Sequence, residues 1–482
     1  MRGWNIGIIG GGPGGLMTAY SLQKYFDFPV KITLFEADSR LGGKVWTKKF
    51  KNLPAHYEAG AAELYDYSPV DEDPLKNLIK ELGLPIQPMG GSSVIINNRI
   101  LSNLDDIGRE LGSDARQNLV LFDRLARDAI NPRDFYSSDH PDRVGDTSGL
   151  AASEPRFSST LSQMTNPAAR NYIHHLIHSD LATEPEKTSI AYGLQNYLMN
   201  HPAYLKLYSI EGGNERLIHE LVRRIEATVL LRHCVTEIRQ VSRPTKSNEN
   251  GLPKSLRVTS TSQGAVREDD FDFVIVSLPH NCLPTLHFPD PDLALAMQRH
   301  HAQYNHPAHY LRISILFAKP FWRDYLTDSY WMLDQFGGCC LYDESARTPG
   351  ATHGVLGWLL AGDPALELAG LSDADLVAKA LGSLPSFLAN SLEHLLESSV
   401  HRWIGAVNAI PGGVCQQPLE KRHQPEPQNY PNLFVVGDYL FDSTLNGLLD
   451  SADFVSQWLV SLMTENTAKS NTARFRVKKV NA

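Results

Sequence analysis

Six residues near the amino terminus, Gly10-Gly11-Gly12-Pro13-Gly14-Gly15, constrain this chain more than any other stretch. Glycine's conformational freedom is costly in the interior of a strand or a helix, so such a run marks a turn between elements. Ile6–Ile9 before it is a short apolar run, as a strand buried on both faces requires. Leu16 to Tyr25 after it has a helical pattern, and Val30–Phe35 reads as a second strand ending in Glu36. The result is a β-turn-α-β unit with G-x-G-x-x-G at the turn, the arrangement that binds dinucleotides. Gly10 permits the tight turn, Gly12 lets the backbone approach a diphosphate, and Gly15 lets the helix pack closely on the strand. The helix start offers free N–H donors to phosphate, and Glu36 falls where a carboxylate accepts from ribose hydroxyls.

Further along, Glu36-Ala37-Asp38-Ser39-Arg40-Leu41-Gly42-Gly43-Lys44 resembles the E-x-x-x-R-x-G-G-R segment of the flavin amine oxidase superfamily. That superfamily includes monoamine, polyamine and L-amino-acid oxidases, with protoporphyrinogen oxidase and carotenoid desaturases as relatives. The resemblance implies an α/β protein: a Rossmann-like FAD domain of the glutathione-reductase type with an interleaved α+β substrate domain. It implies that Arg40, Gly42, Gly43 and Lys44 wrap the diphosphate and ribityl groups. Lys44 keeps an arginine's charge without its bidentate geometry. Tyr57-Glu58-Ala59-Gly60-Ala61 resembles the segment beside the flavin, which adds Gly60 and Ala61. Gly212-Gly213 resembles the G-G-x-x-x-L turn, and Val235 matches a valine whose backbone contacts adenine. Val274-Ile275-Val276-Ser277-Leu278-Pro279 is similar to the buried V-I-V-x-x-P strand. The strand before Gly437 and Asp438 resembles the one that presents a glycine and an acid to the ribityl chain. Asn446, Gly447 and Leu448 match the start of a helix facing the flavin pyrimidine, where its N-terminus favours negative charge on the reduced ring. No cysteine stands at the covalent attachment position, so noncovalent FAD is expected.

On the reacting side the pattern changes. Many amine oxidases of this superfamily carry a lysine that holds a water near flavin N5. Counting back from Phe321-Trp322, that place is taken by Arg312. An arginine there stabilises reduced flavin or an anionic group, or simply pairs with a carboxylate. L-amino-acid oxidases often place an arginine after Gly-Ala to clamp the substrate carboxylate. Here Glu63 stands there, which attracts an ammonium or guanidinium group or hydrogen-bonds nearby backbone. The aromatic sandwich of monoamine oxidases is missing: Thr444 takes one place, and the other falls near Ala406 and Val407. Arg312 and Glu63 are therefore the candidate catalytic residues. The implied reaction is hydride transfer from an amine or amino acid to N5, with O2 as acceptor and imine and H2O2 as products. The alternative is a C–C desaturase or protoporphyrinogen-oxidase-like dehydrogenase, favoured by Arg402-Trp403-Ile404-Gly405-Ala406. A flavin-bound partner protein without turnover is a third reading.

With 482 residues, the chain is long enough for an ample core without disulfide staples. The 45 Lys and Arg against 54 Asp and Glu leave a formal −9, spread along the chain, which argues against nucleic-acid binding. Five cysteines form no disulfide framework or CxxC pair, so a reducing, cytoplasmic compartment is expected. The apolar stretch near Val355–Leu371 is broken by Asp363, Pro364 and Glu367, so no membrane span is expected. The expected partners are a small-molecule substrate, O2 and a second copy in a homodimer. His174 and His178 stand one helical turn apart, spacing that suits zinc. Without an HExxH glutamate or a cysteine they read as packing residues, and no metal is expected. The FAD domain is expected to combine 1–85, 205–295 and 403–465, with 86–204 and 296–402 as substrate domain. Residues 466–482 read as a disordered basic tail.

Overall fold

A computed structural model of the chain describes residues 3–26, 30–68, 72–91, 93–132, 156–242, 254–409, 417–441 and 443–480. The chain forms two compact units. Met1–Gly43, Ile218–Asn305 and Gln417–Ala482 make the first, and Lys44–Leu217 and His306–Gln416 the second. Residues 44–85, expected in the FAD domain, fall in the second unit because their short strands pair there. Leu64–Asp66, for example, pairs with Lys206–Ile210.

The first unit is built on a five-stranded parallel sheet. Its order is Ala227–Leu231, Val30–Glu36, Trp4–Ile9, Phe273–Val276, Leu433–Val435. Its three inner strands are almost wholly apolar and buried, as a sheet covered on both faces demands. The helix Pro13–Tyr25 packs against the sheet and the closing helix Leu445–Val480, fastened by Ser21 Oγ donating to Asp453 at 2.5 Å. The antiparallel strands Cys234–Val241, Ser255–Ser262 and Ala265–Phe271 share a hydrophobic cluster with the sheet through Ile238, Val258 and Phe271.

A seven-stranded sheet forms the second unit's centre. Its order is Leu395–Asn408, Pro307–Phe317, Gly354–Ala361, Cys339–Asp343, Tyr330–Leu333, Ser93–Ile96, Arg99–Leu101. Strand alternation sorts the side chains between two cores. Met332, Cys340, Tyr342 and Leu359 join the helices Ser113–Ala129, Pro167–Leu181 and Ile190–Met199. Ile313, Ile315, Trp331 and Trp358 join the helix Asp373–Gly382.

Several local expectations change. Val229–Val241 is two strands in different sheets, because Arg232 adopts φ 58° and turns the chain between Leu231 and Cys234. The helical stretch expected at Asp373–Leu396 ends at Gly382 and continues as a 3-10 segment, Ser386–His394. Tyr310–Phe317 is not half-buried: Leu311 to Phe317 are all enclosed, because the strand is interior to its sheet and covered on both faces. Most of the irregular excursion expected at 134–162 lies outside the described residues, while its end is the helix Phe157–Ser162. The polar turn expected at 243–253 also lies outside them. The closing helix runs on to Val480 through the stretch expected as a disordered tail; no Gly or Pro interrupts it there, and Ala, Lys and Arg are good helix formers.

The glycine turn is held by close approach. Gly10 has φ 108°, and a Cβ on it would lie 2.2 Å from the Ser277 carbonyl oxygen. A Cβ on Gly15 would lie 2.0 Å from the Gly10 carbonyl oxygen, whereas one on Gly12 meets nothing within 4 Å. Gly15→Ala should therefore destabilise the protein by about 1–3 kcal/mol or more, as overpacking does. Gly12→Ala, at φ −72° and ψ −178°, should leave stability within about 0.5 kcal/mol. Thermal unfolding checks both, and equal losses would contradict this account of the turn.

Candidate active site

The first unit gathers its sequence-predicted residues along the carboxyl ends of the parallel strands, where open α/β sheets bind ligands. Gly10 follows Trp4–Ile9, and its N–H donates to the Phe35 carbonyl at 2.9 Å. Gly12 caps the next helix without a side-chain acceptor, and no acid stands in that helix's first turn. The N–H groups of the helix start therefore have no side-chain cap, and the space beside Gly12 is open. Glu36 closes the second strand. Its Oε2 accepts from Gly11 N–H and its Oε1 from Asp38 N–H, both at 2.8 Å, leaving lone pairs on each oxygen. The Arg40–Gly43 loop lies over the turn. Gly42 N–H donates to the Gly11 carbonyl at 2.8 Å, while the Arg40 guanidinium donates to the Leu41 and Gly43 carbonyls.

Two further segments meet this edge. His233 N–H donates to the Glu36 carbonyl and Arg232 N–H to that of Asp38, each at 2.9 Å, which fastens the start of the Val235 strand beside Glu36. Val235 itself is buried. Gly437 N–H donates to Ser451 Oγ at 3.1 Å, and Asp438 Oδ1 accepts from Tyr439 N–H at 2.9 Å. Asn446 is buried in the first turn of the closing helix, and Gly447 N–H donates to Thr444 Oγ1 at 3.1 Å. The Leu448 side chain fills the space beside Gly14. Uncapped helix donors, open space at Gly12 and a ribose-side acid together fit a dinucleotide diphosphate.

The remaining candidates belong to the second unit. Lys44 Nζ donates to the Ala406 carbonyl at 2.8 Å. A Cβ on Gly60 would lie 1.8 Å from the Lys44 carbonyl oxygen, which Ala61 N–H meets at 3.0 Å. Arg312 lies on the interior strand Pro307–Phe317, only 1% exposed, and its Nη2 is 2.5 Å from Glu344 Oε1. Gly357 makes this pairing possible: a Cβ there would lie 2.2 Å from Glu344 Oε1. Glu344 Oε2 accepts from Glu58 N–H at 2.6 Å, and Glu58 accepts from Asn214 N–H and Thr47 Oγ. Arg347 stands 3.5 Å from both Glu58 and Glu344, its guanidinium enclosed and making no hydrogen bond. Glu63 Oε2 is enclosed and has no hydrogen-bond partner.

Beside this network is a narrow cavity lined by Glu63, Asp180, Tyr65, Tyr330, Tyr342 and Asn200 among others, with no cationic side chain in its wall. Burial pushes the Asp180 carboxyl up to about 8, with Glu63 adding repulsion. Burial also raises Glu63, although Tyr342, Arg312 and Arg347 act the other way. The phenols of Tyr65 and Tyr342 are lifted far above their usual value by burial and stay neutral. Glu58, Asp180, Tyr342, Glu344 and Arg347 did not emerge from sequence reasoning. The available signal was the polar alternation of Arg312 and Ser314 in an otherwise apolar strand, which demanded buried partners.

Residues 13–457 match the family model described as flavin containing amine oxidoreductase. Prenylcysteine oxidase 1 of Rattus norvegicus is 23% identical over 293 residues, 57% of this chain. That match spans about half, 56%, of the rat protein. Among solved structures, putrescine oxidase bound to putrescine has a TM-score of 0.73 at 18% identity, covering 95% of this chain and 99% of that one. Cyclohexylamine oxidase from Brevibacterium oxydans IH-35A has 0.71 at 16% identity, covering 96% and 99%. These likenesses agree with the fold: a Rossmann-like parallel sheet in an α/β protein. No helix of the described residues is long and apolar enough to cross a membrane. The chain belongs to the flavin-containing amine oxidoreductase family.

Proposed function

We propose that this protein oxidises a small amine, with noncovalently held FAD as cofactor and O2 as final acceptor. The observation that carries this reading is the make-up of the cavity wall: two carboxyl groups and no cationic side chain. Glu63 and Asp180 would be neutralised by an entering ammonium, while a carboxylate or a neutral polyene gains nothing there. Neutral tyrosine rings beside the acids add faces suited to a cation. The names of putrescine oxidase and cyclohexylamine oxidase agree with an amine substrate.

FAD, when bound, supplies hydride acceptance at N5 and the return of electrons to O2 as H2O2. Gly10, Gly12, Gly15, Glu36, Arg40, Gly42, Gly43, Val235, Gly437, Asp438, Asn446, Gly447 and Leu448 of the first unit would hold it. The remaining chemistry belongs to the chain. An ammonium must lose a proton before its α-carbon can give up hydride. A carboxyl raised to about 8 lies far closer to an alkylammonium, near 10, than an ordinary aspartate does, so Asp180 is suited to accept that proton. Burial of the cavity favours the neutral amine once the proton has left. Arg312 acts as a positioning residue: its pairing with Glu344 keeps that carboxylate out of the cavity's charge balance.

Anaerobic mixing with a panel of alkylamines, diamines, amino acids, S-prenylcysteine and a porphyrinogen separates the readings. Amines should bleach the oxidised flavin, and in air release one peroxide per amine consumed. Bleaching by porphyrinogen alone would establish the dehydrogenase alternative, and no bleaching by any amine would refute this proposal. Asp180 also predicts a stability effect. Folded Asp180 keeps its proton to about pH 8, whereas an unfolded aspartate releases it near 3.8. The folded state therefore binds more protons between those values and loses stability as pH rises through them. Without amine, Asp180→Asn should melt above the parent at pH 8 and level with it near pH 4. Parallel melting curves at both pH values would contradict the raised carboxyl.

A further inference from the structure

Three side chains of the second unit play no part in the amine reading. The ligand atoms of His174, His178 and Glu184 all lie within 4.8 Å of one another. His174 and His178 share a face of the helix Pro167–Leu181, their rings stacked with centroids 5.1 Å apart and planes 28° apart. Ala182 then adopts a left-handed φ of 58°, and the reversal brings Glu184 back over His178. His178 Nε2 stands 3.0 and 3.1 Å from the two oxygens of Glu184. Its Nδ1 stands 3.2 Å from the Gly338 carbonyl oxygen.

His178 is completely buried, and both its nitrogens face acceptors. A neutral imidazole has one N–H. With that hydrogen on the Gly338 carbonyl, the Nε2 lone pair faces a carboxylate, an arrangement that a bound cation would stabilise. A proton would create a buried imidazolium stacked on a second imidazole. A metal ion would instead use all three groups. The Gly338 contact is the outer-shell carbonyl bond that ligating histidines usually make. Space is kept by Gly362, at φ 63°, where a Cβ would lie 2.5 Å from Glu184 Oε1 and 3.2 Å from His178 Nε2.

We propose that His174, His178 and Glu184 form a divalent-metal site, suited to zinc, with water in the fourth position. Two imidazoles and a carboxylate are a common zinc donor set. Metal–ligand bonds of about 2.1 Å put tetrahedral ligands roughly 3.4 Å apart, so small side-chain rotations close the observed set. The ion would staple the end of the helix Pro167–Leu181 to the segment beyond it that carries Glu184. Sequence spacing alone missed it because the third ligand comes from beyond the helix end, not from a glutamate beside the first histidine.

The test uses untagged, flavin-loaded full-length protein, stripped with a chelator and titrated with zinc chloride at pH 7.5. One equivalent should bind with a dissociation constant in the micromolar range or tighter and raise the melting temperature by a few degrees. Affinity should fall at least tenfold at pH 5.5, where protons compete for the ligands. His174→Asn, at a half-buried position, and Glu184→Gln should each weaken binding at least tenfold, with flavin absorbance reporting that the variants remain folded. Absence of binding below millimolar zinc would overturn the proposal. So would undiminished binding in both folded variants.

Discussion

Contact between the α-carbon of Gly15 and the carbonyl of Gly10 sets the geometry of the whole first unit. With no Cβ at either position, the helix Pro13–Tyr25 begins directly on the end of the first strand, and its N–H groups open where Glu36 also ends its strand. The other nucleotide-side features follow from the parallel sheet. Glu36, the approach to Val235, and Gly437 reach the same edge because every strand runs the same way. A binding edge of this kind arises from topology and backbone, which explains why so much of it consists of glycine.

The second unit works by a different constraint, the cost of burying charge. Strand alternation forces Arg312 and Ser314 to one side of an interior strand, and they meet protein rather than water. Arg312 is satisfied by Glu344, and Glu58 and Arg347 complete a network in which acids and guanidiniums offset one another. Glu63 and Asp180 lie outside that balance, in the wall of a cavity without a cation. Raised carboxyl pKa values are the physical consequence.

The β-turn-α-β unit was legible in the sequence because it depends on local rules. Gly10, Gly12, Gly15 and Glu36 occur at fixed offsets within one β-turn-α-β unit, and short apolar runs such as Phe273–Val276 identify the buried parallel strands. What escaped reading depends on long-range contact. Asp180 meets Glu63 from more than a hundred residues away, and Glu344 reaches Arg312 only because Gly357 leaves room. Arg312 stood out as an arginine where related proteins carry lysine, yet its partner was invisible from one strand. Likewise Val229–Val241 read as continuous because nothing in its apolar pattern announces the left-handed Arg232.

The central claim is that the buried acids of the second unit select an ammonium for oxidation by FAD. Calorimetric titration at pH 8.5 with an amine lacking any α-hydrogen, against the alcohol of the same skeleton, isolates that selection from turnover. The amine should bind at least tenfold more tightly than the alcohol, and the advantage should vanish when Glu63→Gln is combined with Asp180→Asn. Equal binding of amine and alcohol, or tighter binding of the matching carboxylate, would contradict the claim.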